Sequence, residues 1–480
     1  MDFHVSLIGR KDVTGEIYRQ VRGAIIDGYL RPGDSLLPSR EMARRLNVSR
    51  TTVMAAYDRL NGEGFVSSRV GAGTFVNPGV VWPERDRRKP SGRSDGALRP
   101  RSVWAGIPLS SAFVESADFD FRTGISDSTL FPYETWRRLM SHELRPSAVG
   151  RGIYGDPAGH PALRVAIARH IATARGVRAE PDDVTVTNGT QQALDLVARV
   201  LLAPGDRVAV EDPGYMPPWL LFTSLGLKVS GVPVDDEGLV VDALPPNARL
   251  VYVTPSHQYP LGVSMSLPRR LALLAWAQRH GAAIVEDDYD SEFRYGGRPI
   301  EPLQTLDNSG RVIYIGSFSK TMLATLRLGF VVTPAPLRQA THAAKYVTDW
   351  HTSLPTQAAL ARFIDQGLLA RHIRKMRTVY KARHERLVET LTRRLAAHLR
   401  LIPSVAGLHV SAAATVASPA DVLAAARRAL AAGVAVQTLS MFRVDQPPQA
   451  GLVLGYGGID TAHIDEGTQR LRRAFDEITA

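Results

Sequence analysis

The sequence of 480 residues contains no cysteine. This absence excludes disulfide bridges, zinc sites built on thiolates and thiol nucleophiles, and it suits a reducing compartment. Long hydrophobic runs are also missing, and the first residues, MDFHVSLIGR, lack the apolar core of a signal peptide. We therefore expect a cytoplasmic protein with no membrane-spanning segment.

The overall composition is that of a globular protein with an excess of positive charge. Hydrophobic residues make up 44% and charged residues 22% of the chain, which is ordinary for a soluble protein. The length exceeds what one hydrophobic core supports, so two or three domains are expected. The formal net charge of +11 favours a polyanionic partner, although excess Lys and Arg also occurs in proteins that bind no nucleic acid.

Helical periodicity dominates the first sixty residues. Apolar residues at helical spacing predict a first helix between Gly15 and Gly28. Ser39 is placed to cap a second short helix, a tight turn covers residues 47–49, and a third helix begins at Ser49. Two short helices joined by such a turn form a helix-turn-helix, and the start of the second one can enter a major groove.

The polar residues at the start of the third helix are suited to DNA. Arg50 can bind a guanine or a phosphate, and Thr51 and Thr52 can contact a phosphate or a thymine methyl group. The following segment, FVSSRVGAGTFV, alternates in polarity and turns on residues 71–73, which predicts a two-stranded wing. A small helical docking domain with a hairpin would contain the same pieces, but their order favours DNA binding.

Residues 11–79 resemble the winged helix-turn-helix of GntR-type bacterial transcription regulators. The matching stretches are IYRQVRGAIIDGYLRPGDSL, LPSREMARRLNVSRTTVMAAYDRL and EGFVSSRVGAGTFV. Leu37 departs from the family, which usually has a proline there. The resemblance implies a double-stranded DNA partner, contacted by Arg40, Arg50, Thr51, Thr52, Gly71 and Gly73.

Residues 80–117 form a segment of different composition. It includes PERDRRKPSGRSDGALRPRS, which is rich in Pro, Gly, Ser and Arg and has no periodic apolar face. Such a segment cannot bury enough apolar surface to fold alone. We interpret it as a basic solvated linker, and additional electrostatic contact with DNA is the alternative.

From residue 118 to 480, strands alternate with helical segments. This order predicts an α/β domain with a mostly parallel sheet, with a large part at about 160–340 and a small part at about 345–480. Residues 184–187 form a predicted strand, and a turn at 188–191 leads into a helix. The turn directs backbone N–H groups and a helix N-terminus to one point, which suits a phosphate, although many helices are capped in this way.

Two further apolar runs end in chemically distinctive residues. The strand predicted at 312–315 is followed by Ser317, Ser319 and Lys320, at the sheet edge where ligands bind. The strand predicted at 282–285 leads into Asp287 and Tyr289 within the stretch EDDY. No histidine or further acid lies at metal-ligand spacing, so no metal site is predicted. A buried acid is also suited to keep a ring nitrogen protonated.

A lysine, an acid, hydroxyl groups, a glycine turn and Arg327 together match the needs of pyridoxal 5'-phosphate (PLP). The lysine reacts with the cofactor's aldehyde, and the protein orients the ring and tunes its electronics. Arg327, seven residues after Lys320, can bind a phosphate with two parallel hydrogen bonds. The sequence therefore predicts PLP as cofactor.

Residues 119–480 resemble fold-type I PLP-dependent aminotransferases. The matching motifs are NGTQQALD, EDPGY, TPSHQYPLG, VEDDYDSEFRY and GSFSKTMLATLRLGF. The resemblance implies a Schiff base on Lys320, and it implies that Tyr154 reaches the cofactor of a partner subunit in a homodimer. Tyr259 replaces an asparagine that many aminotransferases have beside the ring. The other implied cofactor contacts are Gly189, Thr190, Gln191, Tyr215, Asp287, Tyr289, Ser317, Ser319 and Arg327.

The whole chain resembles the MocR subfamily, in which a GntR-type head precedes an aminotransferase-like body. The resemblance implies a transcriptional regulator that senses an amine, an amino acid or PLP itself and alters operator binding. The alternative is an active aminotransferase with an appended DNA-binding domain. Arg443 is the candidate for holding an effector carboxylate, and Met216 begins a stretch, MPP, that lacks the arginine of some amine-sensing relatives.

Overall fold

The computed structural model describes residues 5, 12–69, 73–78, 98–108, 117–149, 152–296 and 300–479. It divides into two compact units, residues 1–99 and 100–480. The helices and strands of the first unit are α1 (Val13–Ile26), α2 (Ser39–Leu46), α3 (Arg50–Gly62), β1 (Val66–Arg69) and β2 (Gly73–Val76).

The second unit contains the remaining elements that the described residues form. The first group is β3 (Phe119–Asp120), α4 (Tyr133–Glu143), α5 (Pro146–Val149), α6 (Pro161–Arg175), β4 (Val184–Thr187), α7 (Thr190–Leu201), β5 (Arg207–Asp212), α8 (Met216–Ser224), β6 (Lys228–Asp235), β7 (Gly238–Leu239), β8 (Ala248–Val253), α9 (Leu267–His280), β9 (Ala283–Asp288), α10 (Leu303–Leu306), β10 (Val312–Ser317) and β11 (Gly329–Val332). The second group is α11 (Arg338–Asp349), α12 (Leu354–Asp365), α13 (Leu368–Arg394), β12 (Leu399–Leu401), β13 (His409–Ala414), α14 (Pro419–Ala431), β14 (Val434–Ala435), β15 (Gln437–Thr438), β16 (Gly451–Gly455) and α15 (Ile464–Thr479).

The first unit is a three-helix core with a hairpin, as the sequence predicts. Its helices bury a shared apolar cluster that includes Ile17, Val53 and Leu60. Ser49 caps α3, because its hydroxyl accepts a hydrogen bond of 3.0 Å from the backbone N–H of Thr52. The expectation that Ser39 caps α2 is wrong: the helix begins one residue earlier than expected, so Pro38 occupies the N-cap position.

Strands β1 and β2 form the antiparallel wing, paired from Val66 with Val76 to Arg69 with Gly73. Gly73 has a φ of +113°, a conformation that favours glycine. The predicted tip of the wing, residues 70–72, includes Gly71 and lies outside the described residues.

The large part of the second unit is built on an eight-stranded sheet in the order β4-β11-β10-β9-β8-β5-β6-β7. The five central strands β10, β9, β8, β5 and β6 are parallel, and β11 is antiparallel to both of its neighbours. Each face of the sheet is covered by its own apolar cluster. Helix α9 contributes to one cluster, and α7 and α8 contribute to the other. This doubly covered sheet confirms the predicted fold class and brings the carboxyl ends of the parallel strands to one edge.

The small part consists of a four-stranded sheet, β12-β13-β16-β15, packed against α13, α14 and α15. Strand β3 pairs with β14, so residues 119–120 belong to this part although they come early in the chain. Helix α13 is 27 residues long and contributes to both cores, with Leu369 in the large part and Leu387 in the small part.

A short 3-10 turn, Ser102–Gly106, begins the second unit. The side chain of Arg101 just before it donates a 3.4 Å hydrogen bond to the carbonyl of Ser224 at the end of α8. The exact domain and linker boundaries stay a prediction. In the described part of the chain no helix has the length and apolar character needed to cross a bilayer.

Candidate functional site

The candidate site lies where the parallel strands β9 and β10 end. Asp287 on β9 is paired in register with Ile315 on β10, and Ser317 closes β10. Lys320 follows three residues later in a turn. The apolar character of both strands keeps them in the middle of the sheet, so the polar residues that follow emerge together at its edge.

Asp287 is only 3% exposed. The hydroxyl of Tyr252 donates a hydrogen bond of 2.8 Å to its Oδ2 atom. Its other oxygen, Oδ1, is buried and has no hydrogen-bond partner among the described residues. Burial raises the pKa of Asp287 to about 7, although the Tyr252 hydrogen bond acts in the opposite direction. This carboxylate is held in place with one acceptor atom left open.

Lys320 is partly buried, and its Nζ donates a hydrogen bond of 2.7 Å to the backbone oxygen of Gly124. Burial lowers the pKa of Lys320, with a smaller contribution in the same direction from Arg327, while Asp290 and Asp287 act against it. A lowered pKa increases the fraction of neutral amine, which is the nucleophilic form.

A glycine and an arginine meet beside this lysine. Gly189 has a φ of +78° and precedes α7, which begins at Thr190. The Nη2 atom of Arg327 donates a 3.1 Å hydrogen bond to the backbone oxygen of Asn188. A Cβ atom on Gly189 would lie only 2.7 Å from Arg327 Nη2, so the guanidinium needs a glycine here. Arginine, backbone N–H groups and a helix N-terminus together make a favourable place for a phosphate.

Hydroxyl groups complete this cradle. Ser317 Oγ donates to Ser319 Oγ at 2.9 Å and accepts from the backbone N–H of Ser319 at 3.1 Å. The hydroxyl of Ser126 in turn donates to the backbone oxygen of Ser319 at 3.3 Å. The three serines therefore fix the turn between β10 and Lys320.

Three tyrosines surround the same place. Tyr215, at the N-cap of α8, lies edge-on to Tyr259 with ring centroids 5.6 Å apart. The Tyr259 hydroxyl is 2.6 Å from Thr123 Oγ1, and the Tyr289 hydroxyl donates to the backbone oxygen of His257 at 3.0 Å. Burial raises the pKa of Tyr215 to about 12, with Asp287 acting in the same direction. Burial also raises the pKa of Tyr259 and of Tyr289, so all three phenols are neutral hydrogen-bonding groups at physiological pH.

Gln191 and Arg443, two other predicted residues, lie close to the segment around Tyr215. Gln191 Nε2 is 3.4 Å from the Pro217 carbonyl. Arg443 donates from Nη2 to Gln449 Oε1 at 2.6 Å. The carbonyl of Phe442 accepts a 2.9 Å hydrogen bond from Gly214 N. Arg443 thus follows a residue tied to the Tyr215 loop, which is compatible with the predicted role towards an effector.

Tyr154 stands apart from these residues within one chain. Its side chain is 70% exposed and stacks on Trp350, with ring centroids 4.3 Å apart. Tyr346 and Val347 on α11 are exposed nearby in sequence. Asp349 joins this segment to the cradle, because it accepts a 2.7 Å hydrogen bond from the side chain of Asn188. An exposed apolar cluster therefore borders the candidate phosphate cradle.

Sequence analysis missed several residues that shape the site. Tyr252 and Gly124 contact Asp287 and Lys320 directly. Glu211, 2% exposed, accepts a 2.6 Å hydrogen bond from the Thr254 hydroxyl, and burial raises its pKa to about 7. The sequence did contain a signal for Glu211, because it is the first acid after the apolar residues of RVAVED, and Asp287 lies in the corresponding acidic end of its own strand.

Behind the tyrosines lies a buried cluster of His257, Asp290 and His409. One possible ligand atom from each lies within 4.8 Å of the others. His257 Nδ1 is 3.1 Å from both oxygens of Asp290, and His409 Nε2 is 2.9 Å from the Pro260 carbonyl. These contacts are internal hydrogen bonds that fix the wall behind Tyr289.

In the first unit, four of the residues predicted to contact DNA lie on α2 and on the first turn of α3. Arg40, Arg50 and Thr51 are exposed, and Thr52 is half-buried. Ser49 Oγ is 2.7 Å from the hydroxyl of Thr51, and Arg50 Nε donates weakly to Ser39 Oγ at 3.4 Å. The guanidinium group of Arg50 is therefore available at the start of α3, the helix that would enter a major groove, and that of Arg40 is exposed on α2.

Comparisons with known proteins agree with both units. Residues 13–76 match the family described as bacterial regulatory proteins, gntR family, and residues 125–471 match aminotransferase class I and II. The chain is therefore a GntR-type winged helix joined to an aminotransferase-like body. A solved structure, the Pyrococcus horikoshii kynurenine aminotransferase in complex with PMP, is similar with 29% identity and a TM-score of 0.72, over 78% of this chain and 96% of that one.

Two relatives are similar to this chain over nearly its whole length. The probable rhizopine catabolism regulatory protein MocR of Rhizobium meliloti is 40% identical over 96% of this chain and 93% of its own length. The HTH-type pyridoxine biosynthesis transcriptional regulator PdxR of Corynebacterium glutamicum is 32% identical over 93% of this chain and 92% of its own length. The chain belongs to the MocR subfamily of GntR-type transcription regulators, and its function is that of a DNA-binding transcriptional regulator.

Proposed function

We propose that this regulator binds PLP in its body through Lys320, and that an amine, an amino acid or PLP itself acts there as the signal that alters operator binding. The main support is Asp287 Oδ1, a buried carboxylate oxygen with no hydrogen-bond partner among the described residues. An unpaired buried acceptor is costly, and the protonated ring nitrogen of PLP is a fitting donor for it.

Each part of the cofactor has a matching group in the chain. Asp287 would hold the ring nitrogen, Tyr215 would stack on the ring, and Tyr289 and Tyr259 would lie near the ring oxygen. The phosphate would be held by Gly189, Thr190, Gln191, Ser317, Ser319 and Arg327. When bound, PLP supplies an aldehyde that reacts reversibly with amines. Burial lowers the pKa of Lys320, which increases the fraction of its neutral, nucleophilic amine.

The signal must distinguish two arrangements of the protein. A ligand shifts the equilibrium between them by no more than its differential affinity. A carboxylate-bearing amine would be held by Arg443, whose neighbour Phe442 is hydrogen-bonded to the Tyr215 loop. Met216 and the prolines after it leave no arginine directly beyond Tyr215, and one relative is named for pyridoxine biosynthesis. The missing arginine favours PLP itself or an amine that is held differently, and the name of that relative favours PLP.

The body would act as a homodimer. Tyr154 is 70% exposed and Val347 is 76% exposed, and the Tyr154–Trp350 stack borders the phosphate cradle. Monomeric proteins rarely expose contiguous apolar clusters, and such clusters often mark interfaces. In the dimer, Tyr154 would contribute to the cofactor site of the partner subunit, so both DNA-binding units would respond to the same event.

The test is DNA binding with and without the signal. DNA flanking the gene is titrated with wild type, Lys320→Ala and the control Lys228→Ala, which changes an exposed lysine on β6. Wild type and the control should bind a specific segment with an affinity that changes with PLP or an amine. Lys320→Ala should bind the segment without that response. Equal affinity under all conditions for wild type would overturn the proposal.

An active aminotransferase is the second candidate, favoured by the complete cofactor set and the likeness to a kynurenine aminotransferase. Slow amino-group transfer alone does not separate the two functions. A change in DNA affinity caused by PLP alone, with no keto acid present, supports sensing. Turnover with many amine donors and no change in DNA affinity supports the enzyme.

A further inference from the structure

A cavity that is separate from the residues assigned to PLP lies between α6, the segment after β9 and the first turns of α13. Its volume is about 370 Å³, within the range of small-molecule sites. Its lining carries an unusual concentration of positive charge from Arg175, Arg294, Arg374 and Arg377. We call it the arginine cavity.

Most of this positive charge is not neutralised by the protein. Arg175 pairs with Asp288, with Nε 2.8 Å from Oδ2. Arg294, Arg374 and Arg377 form no ion pair with any carboxylate of the described residues. Guanidinium groups of like charge in one concave surface repel each other unless an anion lies between them. The arrangement is therefore more favourable with a bound anion.

Besides the arginines, the lining contains one acid, Glu292, and one histidine, His170. Burial, followed by repulsion from Asp288, raises the pKa of Glu292 to about 7. Burial lowers the pKa of His170. Near neutral pH Glu292 is partly protonated and His170 is mostly neutral, so the net charge of the lining stays positive.

We propose that the arginine cavity binds a small phosphorylated metabolite, with its phosphate on the guanidinium groups of Arg294, Arg374 and Arg377. Arginine presents several N–H donors in a planar fork that matches phosphate oxygens. The concave shape and the volume suit a small molecule. Arg175 extends from this cavity to Asp288, the neighbour of Asp287, and to the Ser256 hydroxyl at 2.9 Å.

The experiment is a calorimetric titration of the full-length protein with pyrophosphate and with inorganic phosphate. The protein is kept saturated with PLP to fill the other phosphate cradle, and ionic strength is held constant with chloride. The test variant is Arg374→Gln/Arg377→Gln. The control variant is Arg371→Gln/Lys375→Gln, which removes the same charge from exposed positions of the same helix that do not line the cavity.

Wild type and control should show saturable binding with dissociation constants within twofold of each other. The test variant should bind at least tenfold more weakly. Arg294→Gln, on a different element, should weaken binding as well, which guards against a local effect on α13. Absence of saturable binding to wild type, or an equal loss in the control, would overturn the proposal. A loss of DNA affinity in the test variant with unchanged phosphate binding would do so too, in favour of a DNA contact.

Discussion

The hydroxyl of Tyr252 on β8 is hydrogen-bonded to Asp287 on the neighbouring strand β9, at 2.8 Å from Oδ2. This bond favours the ionised carboxylate, which burial otherwise disfavours. We predict that Tyr252→Phe raises the pKa of Asp287 further and weakens PLP binding about tenfold at neutral pH, since hydrogen bonds to charged groups contribute ~1.5–3 kcal/mol. The measurement is a PLP titration followed by absorbance.

Tyr295→Phe is the matched control, because the Tyr295 hydroxyl bonds a backbone carbonyl in the small part, that of Gly407, at 2.8 Å. It should leave PLP affinity unchanged. The weakening in Tyr252→Phe should lessen as pH rises, because a higher pH restores the ionised carboxylate. An effect that is the same at every pH would mean that Tyr252 acts only by packing.

The buried carboxyl group of Glu211 predicts a stability effect that depends on pH. Its pKa is about 7 in the folded protein against 4.5 for a free glutamate. Because folding favours the protonated form, this stabilisation of the fold is complete below pH 4.5 and is lost as pH rises to about 7. Glu211→Gln stays neutral and should avoid this loss, which amounts to roughly 3 kcal/mol.

Urea unfolding of the protein without PLP, at about pH 5 and about pH 8, measures this effect. The free energy of unfolding of wild type should fall more between these values than that of Glu211→Gln. The control Glu237→Gln changes a carboxyl group whose side chain is 60% exposed and should behave as wild type. Parallel pH dependence of wild type and Glu211→Gln would contradict the prediction.

Sharing of the cofactor site between subunits is tested with mixed dimers. Tyr154→Ala alone should weaken PLP binding, and Lys320→Ala alone should abolish covalent attachment. A heterodimer of the two variants should contain one intact site, because one subunit provides Lys320 and the other provides Tyr154. The measurement is the number of tight PLP sites per dimer after unfolding and refolding a mixture. If mixing recovers none, Tyr154 does not act across the interface.

DNA recognition is expected to depend on Arg50. Arg50→Ala should reduce affinity for the specific operator by about 1–3 kcal/mol, or roughly 5- to 150-fold, and relax the preference for one base. The control Arg19→Ala removes one charge from α1, where Arg19 is engaged by Glu16 at 2.8 Å. A fluorescence anisotropy titration compares both variants on specific and unrelated DNA. An equal loss on both DNAs would indicate phosphate contact only.

The sequence predicted those parts of the site that depend on local order. Apolar runs located the strand ends, and therefore Asp287 and Lys320, because a buried strand followed by polar residues leaves few alternatives. The contacts of Tyr252 and Gly124 could not be predicted, since they depend on which strands become neighbours. Ser39 was wrongly predicted to cap α2. The helix begins at Ser39 itself and Pro38 is the N-cap residue, a shift of one residue that the sequence pattern does not determine.

Helix α13 joins the two cores of the body without a glycine or proline between Leu368 and Arg394. At 1.5 Å per residue it is about 40 Å long, and it lacks the residues at which helices most often kink. If the helix moves as one rigid body about one end, a tilt of about 10° moves the far tip by about 7 Å. An event near Leu369 would in this way be mechanically amplified at Leu391.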